Sequence, residues 1–389
     1  MNSERDKMRR IVLGSILKEI VEKTTVNNQH PVLTSSQNGL VSQDEYFNKQ
    51  IASQDNTGYK IIRKGQFTYR AMSDTGRFYI NQSSYDIGIV SPAYPVFEIT
   101  NTNIVLPEYI AMYFKSESFQ NAIALQSTGS TRVSLKLNKI KDLEIFLPDV
   151  AQQREMLRNI AEAESLILAR REQLAKLDEL VKSRFIELFG DPATNPKGWT
   201  AKPLLDMGYC KNGMNFHTGD SGIEMHCLGV GDFKDLSVID GTESLPVISL
   251  NEAPPEESML KDGDIVFVRS NGNKALVGRC LVVYPHNTPT TYSGFCIRYR
   301  LTSSEVNTTY LLRVLKTDSM RKKMAGRGAN IQNLNQQILA SLDIPLPPIE
   351  QQQQFAAFVE QTDKSKLAIQ ESLAELETLK KALMQKYFG

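Results

Sequence analysis

Two pairs of polar loops hold the side chains best suited to recognition chemistry. The first pair sets Tyr69–Arg77, with Arg70, Ser73, Thr75 and Arg77, against its counterpart Arg269–Lys274, with Arg269, Ser270, Asn271, Asn273 and Lys274. The second sets Ser127–Arg132 and Lys136, with Thr128, Ser130, Thr131 and Arg132, against Gly326–Asn333, with Arg327, Asn330, Gln332 and Asn333. Arginine and lysine match the hydrogen-bonding edge of guanine, and asparagine and glutamine that of adenine. The run Arg321-Lys322-Lys323 would suit phosphate, which fixes register without reading sequence. Asn-Gly and Ser-Thr-Gly are also ordinary turn chemistry. Arg70, Arg269 and Arg327 are the foremost candidates.

Other chemistries find little support. The four cysteines (Cys210, Cys227, Cys280, Cys296) all lie in the second half without CxxC spacing, and the four histidines are dispersed. That reads as buried thiols, not a metal site, even at His226-Cys227. No GxxxxGK[ST] phosphate loop is present, and no nucleophile–base set stands out. No metal or cofactor is expected in this chain.

The elements that must hold those loops come in duplicate. Leu147-Pro148-Asp149-Val150-Ala151-Gln152-Gln153 returns 199 positions later as Leu346-Pro347-Pro348-Ile349-Glu350-Gln351-Gln352. Residues 129–190 and 328–389 share 18 identities in 62 positions without a gap, where ordinary usage would give about four. Upstream, Tyr109–Lys115 matches Tyr310–Lys316 at an offset of 201, after β-like runs such as Phe67-Thr68-Tyr69 and Asp264–Val268. A period near half of 389 residues implies a duplicated unit and an internal pseudo-two-fold.

The spacing predicts long helices over about 149–189 and 348–388, each roughly 60 Å long at 1.5 Å per residue. Leu168, Leu174, Leu177, Leu180, Val181, Phe185 and Leu188 fall on one broad stripe, as do Leu367, Leu373, Leu376, Leu379, Leu383 and Tyr387. Each stripe is expected to pack on the other, with the helices antiparallel. Gly190 is placed as the glycine after a helix end, and Asp191-Pro192 forbids continuation. The fold class expected is α+β: two duplicated mixed α/β domains joined by a coiled-coil-like helix pair. Boundaries are expected at 1–147, 148–190, 191–346 and 347–389. Two unlike modules on a paired rod could hold two surfaces at a fixed spacing, which suits DNA, whose major-groove faces recur every ~34–36 Å.

Charge is neutral on the whole: net +1, divided as +3, −1, 0 and −1 over those four segments. Any nucleic-acid surface must then be local. A protein-binding scaffold with non-catalytic modules is the rival, and it predicts no DNA binding. The run Ile11–Leu17 is too short for a signal peptide and lacks a cleavage site. No stretch reaches the roughly 20 apolar residues of a membrane span, so a cytoplasmic, reducing location is expected.

With these features in order, the chain resembles a specificity (S) subunit of a type I DNA restriction–modification system. The two LPxxxQQ starts carry the likeness, together with Leu188–Trp199 and Gly263–Gly272. The first module lacks the tryptophan lead-in that the second has at Gly198-Trp199. The resemblance implies two target-recognition domains, each reading half of an asymmetric bipartite site in double-stranded DNA. It also implies that the helix pair sets the gap and docks two methyltransferase (M) subunits, with restriction (R) subunits completing the nuclease. S-adenosylmethionine, ATP and Mg²⁺ would then belong to those partners. In keeping, Asn195-Pro196-Lys197-Gly198 is not the Asn-Pro-Pro-Tyr-like loop an adenine methyltransferase needs, and the chain is expected not to be an enzyme by itself.

Overall fold

The computed structural model describes residues 9–36, 39–46, 55–71, 77–126, 135–217, 219–234, 236–325 and 333–389. The chain divides into two compact units, residues 1–171 with 371–389 and residues 172–370. In the first unit the order is β1 (Arg9–Val12), β2 (Leu17–Ile20), β3 (Leu33–Ser36), β4 (Gly39–Ser42), α1 (Gln43–Tyr46), β5 (Lys60–Arg63), β6 (Phe67–Tyr69), β7 (Phe78–Ile80), β8 (Ile87–Val90), β9 (Val96–Ile99), α2 (Pro107–Tyr113), α3 (Glu117–Gln126), α4 (Leu137–Lys141) and β10 (Glu144–Leu147). The long helix α5 (Val150–Phe189) then leads into the second unit.

The second unit continues with β11 (Ala201–Pro203), β12 (Gly208–Asn212), β13 (Ile223–Leu228), β14 (Val238–Asp240), β15 (Val247–Leu250), β16 (Asp264–Val268), β17 (Cys280–Tyr284), β18 (Thr290–Tyr292) and β19 (Cys296–Leu301). Then follow α6 (Thr308–Lys316), α7 (Asp318–Ala325), α8 (Gln336–Ala340), β20 (Asp343–Pro345) and the second long helix α9 (Ile349–Phe388). No helix among the described residues is long and apolar enough to cross a membrane.

Sheet order shows the duplication more plainly than the sequence does. The first unit has a sheet β2-β9-β6-β7, and the second has β12-β19-β16-β17 extended by β14. The strand before each module pairs with the strand that closes it, β1 with β10 and β11 with β20. Thr68 pairs with Val96 and Phe67 with Phe97, as Val268 pairs with Cys296 and Phe267 with Ile297. An offset of 200 therefore superposes the two central registers.

Each long helix begins at a joint built from the second glutamine of its repeated motif. Gln153 is fully buried; its Oε1 accepts from the Leu106 N–H at 2.8 Å, and its Nε2 donates to the carbonyls of Ile104 and Pro148, both at 2.8 Å. Gln352 repeats this with the Asn307 N–H (2.9 Å), the Glu305 carbonyl (3.1 Å) and the Pro347 carbonyl (2.8 Å). Three backbone groups that would otherwise be orphaned in the interior are satisfied by one amide. At the start of α5, Asp149 and Gln152 add a reciprocal cap: the Gln152 N–H donates to Asp149 Oδ1, and the Asp149 N–H to Gln152 Oε1.

The far end of each helix is sealed by aromatics. Phe189 lies 4.9 Å from the Tyr310 ring in the second unit, and Phe388 lies 5.1 Å from Tyr109 in the first. Gly190 has φ 76°, and a Cβ there would meet Pro196 at 2.5 Å, so only glycine fits this turn.

Within each unit the halves of α5 and α9 run antiparallel. Asn159 meets Tyr387, Glu164 meets Lys380 and Arg171 meets Glu377 in the first; Asp178 meets Lys366 and Phe185 meets Phe355 in the second. The seam runs through Ile160, Ala163, Ile167, Val181 and Phe185 on one helix and Phe355, Val359 and Thr362 on the other, all buried. Leu174, Leu177, Leu188, Leu373, Leu376 and Leu383 flank it, half-buried. Four leucines expected in the seam are instead turned outward: Leu168 (60% exposed), Leu180 (48%), Leu367 (58%) and Leu379 (51%). Adjacent residues on a helix stand about 100° apart, so Ile167 and Val181 exclude Leu168 and Leu180 from the interface. The seam also uses a charge, for Lys366 lies at its edge with Nζ 2.6 Å from Asp178.

Candidate nucleic-acid interface

In the second unit three chain segments are tied together beyond the end of β16. The Arg269 N–H donates to the Phe295 carbonyl (2.8 Å), and the Arg269 carbonyl accepts from the Leu334 N–H (2.7 Å). Ser270 and Asn333 form an antiparallel bridge. Asn271 Oδ1 accepts from the Asn273 N–H (2.8 Å), and Asn273 Oδ1 accepts from the Ala275 N–H (3.1 Å). Both are turn-building bonds that leave each amide NH₂ for other partners. The result is an open cleft of about 550 Å³ lined by Ser270, Asn271, Gly272, Lys274, Asn333, Phe295 and Val230.

Four of the residues expected at the interface, Ser270, Asn271, Lys274 and Asn333, thus line one concavity. Arg269 precedes them in the chain, half-buried, with Nη1 donating to the Gly294 carbonyl at 3.3 Å. Asn273 is exposed beside it. Phe295 was not expected at the interface; its sequence signal is the Ser293-Gly294 turn ahead of an alternating strand. Arg327, Asn330 and Gln332 lie outside the described residues.

The basic run at 321–323 does not act as one patch. Arg321 is half-buried and its Nη2 donates to the carbonyls of Ala275 (3.0 Å) and Val277 (3.4 Å), so this guanidinium braces the loop carrying Lys274. Lys322 and Lys323 are exposed, and Lys323 Nζ donates to the Ala193 carbonyl at 3.4 Å. Arg321 shares a small pocket of about 230 Å³ with Lys234, Arg279 and Lys316. Burial pulls the Lys316 pKa below the usual lysine range, while its Nζ donates to Ser237 Oγ at 2.6 Å. Among the described residues of this unit, the one ion pair with a fully buried member, Arg300 with Asp264 at 2.7 Å, lies at the opposite end of β16 from Arg269.

The first unit differs at the corresponding tips. By the shared register Tyr69 takes the place of Arg269, and Tyr69 is fully buried with its hydroxyl donating to the Leu135 carbonyl at 3.0 Å. Arg70 is half-buried, and its Nε has no hydrogen-bond partner among the described residues. Arg77 is exposed on the rim of a groove of about 970 Å³ that also takes in Gln82, Lys115 and Gln120. Lys136 is exposed at the start of α4. Ser73, Thr75, Thr128, Ser130, Thr131 and Arg132 lie outside the described residues.

No group of three or more His, Cys, Asp or Glu side chains placed to hold a metal occurs among the described residues. Burial raises the Cys210, Cys227 and Cys296 thiols to about 12 and Cys280 to about 11. As thiolate is the reactive form, none is activated.

Similarity to known proteins agrees with this layout. The chain is 25% identical over 308 residues to the StySPI type I restriction enzyme specificity subunit of Salmonella potsdam, and 21% identical over 316 residues to the EcoKI specificity subunit of Escherichia coli K12. Each alignment covers 73% of this chain but 65% of the relative, just under two thirds of its length. In fold it resembles a chain from a structural study of complex assembly and conformational transition in the type I R-M system (TM-score 0.63, 20% identity, 98% and 97% of the two chains). It also resembles the S subunit of a type I restriction-modification system from M. genitalium (TM-score 0.53, 14% identity, 98% and 96%). The family model for the type I restriction modification DNA specificity domain matches twice, over residues 15–177 and 254–379, once for each repeat, and the chain belongs to that family.

Proposed function

We propose that the chain is the DNA-recognition subunit of a type I restriction–modification complex, reading an asymmetric bipartite site in double-stranded DNA. Each unit takes one half-site. The observation that carries this reading is the cleft in the second unit, where Ser270, Asn271, Lys274 and Asn333 converge on a frame that the first unit repeats. Amide and ammonium donors on a rigid turn suit base edges, and exposed Lys322 and Lys323 suit phosphates. Arg70, Arg77 and Lys136 are assigned to the other half-site. The segments around Ser73, Thr75, Thr128–Arg132 and Arg327–Gln332 complete the two readers in this proposal.

The long helices serve as the spacer. Their outward leucines, Leu168, Leu180, Leu367 and Leu379, belong in this reading to the face that meets two methyltransferase subunits, with restriction subunits joining them. Base methylation and ATP-driven cleavage, with S-adenosylmethionine, ATP and Mg²⁺, then reside in those partners, and this chain supplies specificity without catalysis. Boundaries at 1–147, 148–190, 191–346 and 347–389 describe this division of labour by sequence.

The test is co-expression with a methyltransferase subunit of a type I system, followed by mapping of methylated adenines across a genome. The expected result is one gapped, asymmetric motif. Insertion of one helical turn, about 5.4 Å, into both α5 and α9 is expected to lengthen the gap and leave both half-sites unchanged. Absence of salt-dependent DNA binding by the complex would favour a protein-binding scaffold.

A further inference from the structure

Phe295 is 60% exposed, yet its backbone is among the most constrained in the second unit. Its carbonyl accepts from the N–H groups of Arg269 (2.8 Å) and Ser270 (3.3 Å), and its own N–H donates to Ser293 Oγ (3.3 Å). The preceding Gly294 donates to the Met214 carbonyl at 2.7 Å, and a Cβ on Gly294 would overlap the Asn215 side chain. Cys296, next along, is fully buried at the start of β19. A mobile loop could fold an aromatic ring away from water. Here the turn is held by these bonds, so the ring stays out, lining the same cleft as Ser270, Asn271 and Asn333.

Two chemistries share that cleft. Asn333 is exposed, and its amide makes no hydrogen bond among the described residues; Asn271 keeps its NH₂ unspent. A carboxamide pairs bidentately with adenine N6 and N7, and the partner of that adenine presents a 5-methyl group on the same major-groove edge. An apolar ring and an amide lining one cleft are together complementary to an A·T pair, and a G·C pair lacks the methyl that the ring would contact. The corresponding position in the first unit is Pro95, half-buried, so the feature belongs to one half-site alone.

We infer that Phe295 reads DNA by contact with the 5-methyl group of a thymine in the half-site taken by the second unit. This rests on the DNA-recognition reading above. The full chain, with its methyltransferase subunits, is used to select a duplex from a random pool. Each thymine of that duplex is then replaced singly by deoxyuridine, which removes only the methyl. Wild type is expected to lose about fourfold in affinity at one position, the worth of about one buried methyl group. Phe295→Ala, an exposed change that leaves the fold intact, is expected to lose the same factor on the thymine duplex and to be indifferent to deoxyuridine there. If Phe295→Ala binds like wild type, or if it keeps the deoxyuridine penalty, the inference is wrong and DNA recognition stands. If wild type selects no duplex, both fall together.

Discussion

The two units share a frame and differ at its tips. In both, a buried glutamine satisfies three backbone groups at the start of a long helix, and a tyrosine of the module helix receives a phenylalanine from a helix end. In both, the central strands keep one order and one register. Beyond the last paired residue the likeness stops. Where the first unit has Tyr69 buried and Pro95 half-buried, the second has Arg269 with a free face and Phe295 in the open. Packed interiors penalise even one methylene of change, whereas a loop anchored at its ends by backbone bonds accepts new side chains at little cost. A duplicated scaffold can then acquire two unlike specificities without refolding either.

The largest expected effect probes whether the frame carries equal weight in both units. Phe189→Ala and Phe388→Ala each remove a nearly fully buried ring, and each is expected to cost about 3–5 kcal/mol. Urea unfolding followed by hydrogen exchange would locate the loss, at the Tyr310 helix for the first and at the Tyr109 helix for the second. A cost confined to one of the two would break the equivalence.

That equivalence was legible from the chain because the repeat survives where packing forbids drift. The LPxxxQQ motif and terminal Phe-Gly marked both long helices, their ends and their antiparallel partnership. What was not legible was azimuth. Leu168 and Ile167 are equally apolar neighbours, and only the partner helix decides which enters the seam. The role of Gln153 and Gln352 was hidden for a related reason: a glutamine looks polar and exposed until three orphaned backbone groups surround it. Arg321 looked like a phosphate ligand, but its guanidinium turns back on the Ala275 and Val277 carbonyls, a long-range fold that no local spacing reports. Phe295 reads locally as the first residue of a strand, and its exposure is set by Gly294 and Asn215, 79 residues apart in sequence.

The next effect is smaller and again paired. Gln153→Leu and Gln352→Leu keep volume but orphan a buried N–H and two carbonyls, and each is expected to cost about 1–3 kcal/mol. Faster exchange should appear at residues 104–106 in one variant and 305–307 in the other. If a joint is only a filler, leucine will be tolerated there.

At the tips the expectation reverses, and the units should respond differently. Arg269→Ala is expected to weaken binding by about 1–3 kcal/mol through one half-site and to relax its base sequence. Tyr69→Phe, at the matching position, removes only the bond to the Leu135 carbonyl and should leave the methylation motif unchanged. Motif mapping on both variants checks the contrast. An unaltered motif with Arg269→Ala would assign that arginine to the loop's structure.

The smallest effect concerns a surface feature of the second unit. His286, with φ 54°, presents Nε2 to Asp240 Oδ1 at 2.6 Å and Nδ1 to Asp262 Oδ2 at 3.6 Å. The hydrogen bond to Asp240 raises its pKa above the usual imidazole range, helped by the charge of Asp262. A group whose folded pKa is raised stabilises fully below its unfolded pKa, and that stabilisation fades as pH rises through the folded value. The group is fully exposed, so solvent and salt keep the effect slight. Comparison of thermal unfolding of wild type and His286→Gln between about pH 5 and about pH 9 should show a wild-type advantage at the acid end that vanishes at the alkaline end. It should also shrink in high salt. An advantage that holds flat across the range would mean that the unusual backbone of His286, not its charge, is what distinguishes this corner of the second unit.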